Sequence, residues 1–205
     1  MAIEIQSPEM QLLLRGRETD IDIELLQGTW TEEQYLRLTD GINILLEFTD
    51  GVIEVLPMPT DNHQAMLEFL FLALRALMEQ MGGKARFAPL RVQMRSGKYR
   101  EPDILLVRDA NDPRRQNRFW LGADLVVEIV SPDKPERDTE DKPRDYAESG
   151  IPEYWIVNPV EETITVLTLA GESYATHGVF RRGAVATSVL LEGFAVAVDA
   201  VLDAA

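Results

Sequence analysis

The amino-acid sequence predicts a mixed α/β fold, built as a single domain over residues 1–205. One long amphipathic segment, residues 62–81, has the periodicity of a helix. Two short runs rich in Val, Ile and Leu, residues 102–107 and 124–130, are typical of buried strands. From the long helix onward the order is helix, three strands, helix, strand, an alternation that indicates an α/β protein. With 45% hydrophobic residues, a chain of 205 residues can bury one substantial core.

The region before the long helix predicts a flanking strand, a short helix and a hairpin. Residues 21–25 alternate apolar and acidic side chains, which is typical of an edge strand. Thr31-Glu32-Glu33-Gln34 has the spacing of a capping box and predicts the start of a short helix. The apolar runs 42–48 and 52–56 flank Thr49-Asp50-Gly51, which is a hairpin signal.

The long helix has a predicted start and a predicted stop. Asp61 is the expected N-cap, and Gly82-Gly83 ends the helix. Because its apolar residues cover more than half of the circumference, we expect it to be largely buried. Three strands and a basic turn follow, with the strands at about 85–94, 102–107 and 124–130 and the turn at 96–98.

A second helix and three further strands complete the predicted fold. The helix is expected at about 139–149 and ends at Gly150. Strands are expected at 154–157, 162–169 and 173–180, followed by a tail rich in Ala and Val.

Composition limits the classes of function. No apolar run approaches the roughly 20 residues that a membrane span needs. The first residues lack the basic-then-apolar pattern of a secretory signal, so we expect a cytoplasmic location. The sequence contains no cysteine, which excludes disulfides and thiolate metal sites.

The formal net charge of −15 disfavours tight binding to bare duplex DNA, because phosphates are bound by Lys and Arg. A basic group could still provide such binding, and the simpler interpretation of the same residues is a scatter of surface charges. The group comprises Arg86, Arg91, Arg95, Lys98, Arg100, Arg114, Arg115 and Arg118.

Two acidic residues accompany the aliphatic strands. Asp103 lies at the start of one run, and Glu128 lies inside the other. An ionised carboxylate in an apolar strand is unfavourable unless its charge is compensated. If the two strands are neighbours, Asp103 and Glu128 indicate a shared divalent cation bound by oxygen ligands.

Lys142 is the predicted third participant. Asp138, Lys142 and Tyr146 are four residues apart and share one helical face, on the helix that follows the Glu128 strand. If this helix packs against the sheet, it directs Lys142 toward Glu128. Two carboxylates, a divalent metal and an ammonium suit metal-assisted phosphodiester hydrolysis, in which the metal activates water and the ammonium stabilises developing charge.

Several motifs occur in a fixed order along the chain. They are Glu101-Pro102-Asp103, Val127-Glu128-Ile129-Val130-Ser131-Pro132, Asp138 with Lys142 and Tyr146, and the run from Gly150-Ile151-Pro152-Glu153 to Asn158-Pro159. In these motifs the chain resembles the Uma-two family of candidate restriction endonucleases, a branch of the PD-(D/E)xK nuclease superfamily. The resemblance covers about residues 31–174 and includes residues 47–51 and His63.

The resemblance implies a restriction-endonuclease-like α/β/α core at about residues 42–170, with a central mixed sheet and extra flanking strands. It implies an Mg²⁺- or Mn²⁺-dependent DNA endonuclease in which Asp103 and Glu128 bind the metal. Lys142 would be catalytic, and Glu47 and His63 would be accessory. A homodimer is a further expectation, because cutting both strands of DNA needs two sites.

The chain departs from the superfamily pattern at the lysine. That lysine normally lies two residues after the second acid, where this chain has Val130. The Uma-two resemblance implies that a helical lysine such as Lys142 substitutes for it. Pro143 disfavours α geometry at Lys142 and places Lys142 at a helix start.

Structural interpretations remain open for each site residue. Asp103 could cap a strand, and Lys142 could form an exposed ion pair with Asp138. Glu47 could be a solvated hairpin residue, and His63 a surface or capping residue. The chain could then be a catalytically inactive nuclease fold that serves as a binding or regulatory module. Tyr154 and Trp155 are expected to be core aromatic residues.

Overall fold

A computed structural model describes residues 10–14, 17–21, 26–41, 44–131 and 135–204. The chain forms two compact units, Met1–Pro57 with Ser96–Lys98, and Met58–Arg95 with Tyr99–Ala205. The expectation of one domain over residues 1–205 stays a prediction.

The first unit contains two hairpins and one helix. Its elements are β1 (Met10–Leu14), β2 (Arg17–Ile21), α1 (Glu32–Gly41), β3 (Leu46–Thr49) and β4 (Val52–Val55). β1 pairs with β2, and β3 pairs with β4, both antiparallel. The predicted edge strand coincides with β2 only at Ile21, because residues 22–25 lie outside the described residues.

The predicted capping box begins α1. Oγ1 of Thr31 accepts a hydrogen bond from the backbone N–H of Gln34 at 3.2 Å, and Oε1 of Gln34 accepts one from the N–H of Thr31 at 2.8 Å. Two backbone donors that have no partner within the helix are thereby satisfied. The predicted helix is confirmed and ends at Gly41.

The predicted hairpin between β3 and β4 is also confirmed. Asp50 and Gly51 both have positive φ, 47° and 92°, as a two-residue type I′ turn requires. A Cβ on Gly51 would lie 2.8 Å from the backbone of Gly28, so glycine is needed there. Beside this turn the rings of Tyr35 and Phe48 stack with centroids 5.0 Å apart.

The second unit contains the remaining elements. They are α2 (Asp61–Met81), β5 (Lys84–Phe87), β6 (Val92–Arg95), β7 (Lys98–Arg100), β8 (Ile104–Val107), β9 (Leu125–Ile129), a π-helical turn (Arg137–Asp141) that continues into α3 (Lys142–Glu148), β10 (Glu153–Asn158), β11 (Thr163–Ala170), β12 (Ser173–Arg181), β13 (Val185–Thr187), β14 (Ala195–Ala197) and α4 (Val198–Leu202). Ser96–Lys98, which includes the first residue of β7, is grouped with the first unit.

A six-stranded sheet forms the centre of this unit, in the order β12-β11-β10-β9-β8-β5. β9 and β10 are parallel, and the other neighbours are antiparallel. The π-helical turn and α3 join β9 to β10, as a parallel pair requires a crossover connection. The predicted mixed α/β fold with a central mixed sheet and flanking strands is therefore confirmed.

Apolar layers cover both faces of the six-stranded sheet. Alternate residues of β8 and β9 point to opposite faces. One set packs with α2 and includes Ile104, Leu106, Leu125 and Val127; the other packs with Tyr146 of α3 and includes Leu105, Val107, Val126 and Val130.

The long helix α2 differs from its prediction at the start and in its burial. Oγ1 of Thr60 accepts a hydrogen bond from the backbone N–H of His63 at 3.3 Å, so Thr60 is the N-cap and Asp61 is the first helical residue. Leu72 is 54% exposed, and the prediction of a largely buried helix is wrong, because one stripe alone faces the sheet. Gly82, with φ of 80°, ends the helix as predicted. No helix in the described ranges has the length and apolarity to cross a membrane.

The predicted strand at 85–94 is wrong as a single element. It is divided into β5 and β6, because Pro89 lies between them and has no N–H for a ladder hydrogen bond. The predicted turn at 96–98 joins β6 to β7. The second helix begins earlier than predicted, as the π-helical turn at Arg137.

Buried Glu153 fixes the chain after β13 to the start of β10. Its Oε1 accepts hydrogen bonds from Nε1 of Trp155 at 2.7 Å and from Oγ of Ser188 at 2.6 Å. Its Oε2 accepts the backbone N–H groups of Val189 and Leu190 at 2.8 and 2.7 Å. The acid of the Gly-Ile-Pro-Glu motif thus has a structural role.

Candidate functional site

Asp103 and Glu128 lie on the same face of the six-stranded sheet. In the antiparallel pair of β8 and β9, Ile104 is opposite Val127, so Asp103 and Glu128 occupy the next cross-strand positions. Residues opposite each other in an antiparallel pair point to the same side. That side is the one covered by α3, because Tyr146 of α3 donates a hydrogen bond to Glu128.

Asp103 is held by the backbone of β9 and by α2. Its Oδ2 accepts a hydrogen bond from the N–H of Ile129 at 2.7 Å, and Nε2 of His63 lies 3.2 Å from the same oxygen. The N-cap at Thr60 fixes His63 in the first turn of α2, beside this carboxylate. Among the described residues, the contacts of Asp103 all involve Oδ2, so none of them occupies Oδ1.

Lys142 lies between two carboxylates. Its Nζ is 2.9 Å from Oε1 of Glu128 and 2.9 Å from Oδ1 of Asp138. The side chains of all three residues are at most 3% exposed, so the alternative of an exposed pair between Lys142 and Asp138 is wrong. Removal of one partner from such a buried group leaves an uncompensated charge.

A π-helical turn places Lys142 at this position. The backbone N–H of Lys142 bonds to the carbonyl of Arg137, five residues earlier. Pro143 has no N–H, and in a continuous α-helix its ring would crowd the carbonyl of Thr139; a wider turn relieves both problems. Lys142 is the first residue of α3, but it directly follows the π-helical turn, so the prediction that it lies at a helix start is wrong. It has α geometry (φ −62°, ψ −37°), because the preceding chain stays helical.

Two buried tyrosines support the acids. The hydroxyl of Tyr146 donates to Oε1 of Glu128, and that of Tyr154 donates to the backbone carbonyl of Asp138 at 2.8 Å. Burial raises the pKa of Tyr154 well above its ordinary value, and the negative charges of Glu128 and Asp138 raise it further. Tyr154, a core residue as predicted, therefore remains a proton donor that holds the π-helical turn.

The pKa of His63 reflects opposing effects. Burial lowers it, whereas the hydrogen bond with Asp103 and the negative charges of Asp103 and Asp138 raise it, and the net result is a pKa above the ordinary value. A larger fraction of His63 is therefore protonated at neutral pH than of a solvent-exposed histidine.

Comparison with known proteins identifies the family. The fold is similar to a crystal structure described as "a putative nuclease belonging to DUF820" from Anabaena variabilis ATCC 29413, with a TM-score of 0.67 and 20% sequence identity, over 82% of this chain and 96% of that chain. This likeness shows the fold. The family model Uma2, described as "Putative restriction endonuclease", matches residues 32–199. The chain belongs to the Uma2 family. A comparison with curated proteins finds no match.

Two other positions matter to the site prediction in this Uma2 protein. Val130, where the superfamily places its lysine, is buried in the apolar cluster that contains Tyr146. Glu47 lies on β3 of the first unit and is 1% exposed, so the alternative of a solvated hairpin residue is wrong. Its accessory role stays a prediction.

Part of the predicted basic group forms ion pairs within the chain. Nε and a terminal nitrogen of Arg100 lie 2.9 and 2.6 Å from Oδ2 of Asp145. Arg114 contacts the carboxylates of Asp112 and Asp124, each at 2.6 Å. These positive charges are neutralised locally, so they support the fold and add little to a surface that could bind phosphates.

The donor set can be compared with the needs of a metal ion. No group of three or more His, Asp or Glu side chains is arranged to hold a metal within the part of the chain that the structure describes. Mg²⁺ keeps several waters and is commonly bound through one or two carboxylates. Asp103 and Glu128, two oxygen donors on one sheet face, fit that requirement, and their metal-binding roles stay predictions.

Asp138 and Tyr146 belong to the site, although the sequence prediction placed them only on the helical face of Lys142 and gave them no role there. Their spacing from Lys142 was a signal, since four residues in each direction is one helical face. The missing information was burial. Asp138 lies in a charged run of sequence, Arg137-Asp138-Thr139-Glu140-Asp141, which gives no sign that one of its acids is 2% exposed.

Proposed function

We propose that this Uma2 protein is a metal-dependent DNA endonuclease that hydrolyses phosphodiester bonds. The observation that carries the proposal is the buried contact of Lys142 with Glu128 at 2.9 Å, on the sheet face that also carries Asp103. A lysine beside two metal-binding carboxylates is the set that this chemistry needs. Family membership and the likeness to a nuclease fold support the same class.

Asp103 and Glu128 would hold Mg²⁺ or Mn²⁺ through carboxylate oxygens. When bound, the ion polarises a phosphoryl oxygen and lowers the pKa of a coordinated water. Asp103 is oriented for this task by the N–H of Ile129 and by His63. Partners of this kind fix the direction of a metal ligand.

Lys142 would orient the attacking water and stabilise negative charge that develops on the phosphate. An ammonium suits both tasks, because it is a compact charge with rotatable donors. Its position is fixed by Glu128 and Asp138, and Tyr154 fixes Asp138 in turn through the backbone. Asp138 is therefore a positioning residue in this proposal.

The second candidate is a catalytically inactive Uma2 member that acts as a binding or regulatory module. The observation that favours it is the environment of Glu128, which is 3% exposed and already contacts Lys142 and Tyr146. In that case the buried charges would stabilise the fold and specify its packing. The net charge of −15 points in the same direction.

A plasmid-cleavage assay tests the proposal. We expect the wild-type protein to nick supercoiled DNA with Mg²⁺ or Mn²⁺, and we expect Asp103→Asn and Glu128→Gln each to lower the rate by about 100-fold or more. The control is Glu172→Gln, an acid in the exposed turn between β11 and β12, which should cleave like the wild type. Circular dichroism verifies that each variant is folded. If the wild-type protein cleaves no plasmid with Mg²⁺ and none with Mn²⁺, the endonuclease proposal is rejected.

Metal titration distinguishes the two candidates. Isothermal calorimetry with Mn²⁺ should show binding by the wild type and weaker binding by Asp103→Asn, because a ligand has lost its charge. The absence of wild-type binding would favour the inactive module.

A further inference from the structure

We infer that the edge of the sheet at β5 binds the phosphate backbone of DNA, an inference that takes its ligand class from the proposed function. The edge strand β5 carries two cations, Lys84 and Arg86. They add a local charge of plus two on a protein whose net charge is −15, and the neighbouring Arg75 and Glu79 of α2 add none because they pair with each other at 2.8 Å. Such a local field attracts polyanions.

The cations of β5 differ from several other cations of the second unit, which are paired with carboxylates. Arg100 and Arg114 are paired with carboxylates, and Arg182 contacts Glu162, Asp199 and Asp203. Among the described residues, Arg86 forms no ion pair with a carboxylate, and Lys84 acts on one only at longer range, where its charge helps to lower the pKa of Glu79. The guanidinium of Arg86 donates to the carbonyl of Ala85 at 2.8 Å, a neutral acceptor that leaves its charge uncompensated.

The register connects this basic edge with the candidate active site. Lys84 is opposite Val107, and Arg86 is opposite Leu105, on the neighbouring strand β8. Cross-strand partners share a face, and residues two apart on one strand share a face, so both cations lie on the face of Asp103. Two residues beyond Arg86, the N–H of Ala88 donates to the backbone carbonyl of Asp103 at 3.0 Å.

A DNA backbone bound along β5 would therefore continue toward the acids. Lys84 and Arg86 are two residues apart, about 7 Å along the strand. They can contact separate phosphates of one DNA strand, while Asp103 directly precedes β8 and Glu128 lies on β9, the next two strands of the sheet. The cationic edge would offset the repulsion that an acidic protein imposes on its substrate.

The alternative occupant of this edge is a second copy of the acidic chain. β5 is the outermost strand of the six-stranded sheet, and edge strands can pair with other chains. Two neighbouring cations that no described carboxylate contacts directly favour a ligand of high charge density, and duplex DNA has one charge per about 1.7 Å.

The test is the salt dependence of DNA binding. Fluorescence anisotropy of a short DNA duplex with a cleavage-resistant phosphorothioate backbone gives the dissociation constant at several salt concentrations. For Lys84→Gln/Arg86→Gln we expect binding about tenfold weaker and a salt slope smaller by about two, since each lost phosphate contact removes about 0.9. The matched control is Arg37→Gln/Arg181→Gln, which removes two exposed cations from α1 and from the opposite edge strand β12.

The outcomes separate this inference from the proposed function. If both double variants lose the same affinity and slope, only net charge matters and the inference is overturned. It is also overturned if the wild type cleaves plasmid and the β5 variant keeps the wild-type slope, a result that leaves the endonuclease standing. If the β5 variant loses DNA binding and the wild type does not cleave plasmid, the result supports DNA binding at β5 and rejects the proposed endonuclease activity. If sedimentation shows that the β5 variant loses self-association and retains DNA affinity, the edge is an interface between copies and the inference fails.

Discussion

At the scale of single residues, the charge balance around Lys142 explains why these acids are tolerated in the interior. Asp103, Glu128 and Asp138 bring three negative charges, and Lys142 and Arg137, whose Nε lies 3.9 Å from Asp138, bring two positive charges, so the formal sum is minus one. A divalent cation would more than compensate that sum. Without the cation, partial protonation of His63 compensates part of it, in agreement with the raised pKa of His63.

A double-mutant cycle measures how strongly Lys142 and Glu128 depend on each other. Lys142→Met leaves two buried carboxylates without their ammonium and should lower the free energy of unfolding by about 3–5 kcal/mol. Adding Glu128→Gln should restore part of the loss, because one uncompensated charge is removed. Urea denaturation should therefore give a coupling energy above about 1 kcal/mol.

The control for this cycle is the exposed pair Glu33 and Arg37, which has the same four-residue spacing as Asp138 and Lys142. Glu33→Gln and Arg37→Met should show a coupling of about 0.5 kcal/mol or less. Additive effects of Lys142→Met and Glu128→Gln would show that solvent already screens the pair, contrary to its burial.

At the scale of elements, the sequence correctly predicted the features that depend on residues close together along the chain. The capping box Thr31–Gln34 and the Asp50-Gly51 turn depend on residues a few positions apart, and both are present. Gly82 ends α2 for the same reason, since a left-handed residue is needed there.

Elements that depend on packing were predicted less well. The sequence of α2 is apolar around more than half of its surface, but the sheet covers one stripe, and the pattern alone does not show which residues remain exposed. The π-helical turn at Arg137–Asp141 depends on both Pro143 and the docking of α3 on the sheet. The sequence motifs predicted that Asp103, Glu128, Lys142 and His63 belong to one site. The burial of Asp138 beside Lys142 is visible only in the structure.

Glu153 tests the link between β10 and the chain after β13. Glu153→Gln keeps the shape but replaces one acceptor oxygen by an NH₂ group, which would face either two backbone N–H groups or Trp155 and Ser188. Unsatisfied buried donors each cost about 1–3 kcal/mol, so we expect the free energy of unfolding to fall by about 2–4 kcal/mol. Glu172→Gln, at an exposed turn, should change it by less than about 0.5 kcal/mol. Equal stability of the two variants in urea would contradict the anchoring role.

At the scale of the whole molecule, the net charge of −15 sets the background for every measurement on this protein. Like charges repel one another in the compact state and in complexes with DNA, and salt screens exposed charges more than buried ones. A comparison of variants with equal net charge therefore separates the site from this background. Variants should be matched in net charge for the same reason when stability is measured as a function of pH.

The pH dependence of stability should contain a contribution from His63. Its pKa in the folded protein is raised above 6.5, so the folded state binds the proton more tightly than the unfolded state. The stabilisation is fully present below pH 6.5 and is lost as the pH rises through the folded pKa. The free-energy advantage of the wild type over His63→Gln, measured by urea denaturation in EDTA, should therefore be larger at about pH 5.5 than at about pH 8.5. The loss of the hydrogen bond to Asp103 adds an offset at both pH values, and His177→Gln, which removes the other histidine from β12, is the matched control. An advantage that stays constant or grows with pH would show that burial outweighs the attraction of Asp103 and Asp138.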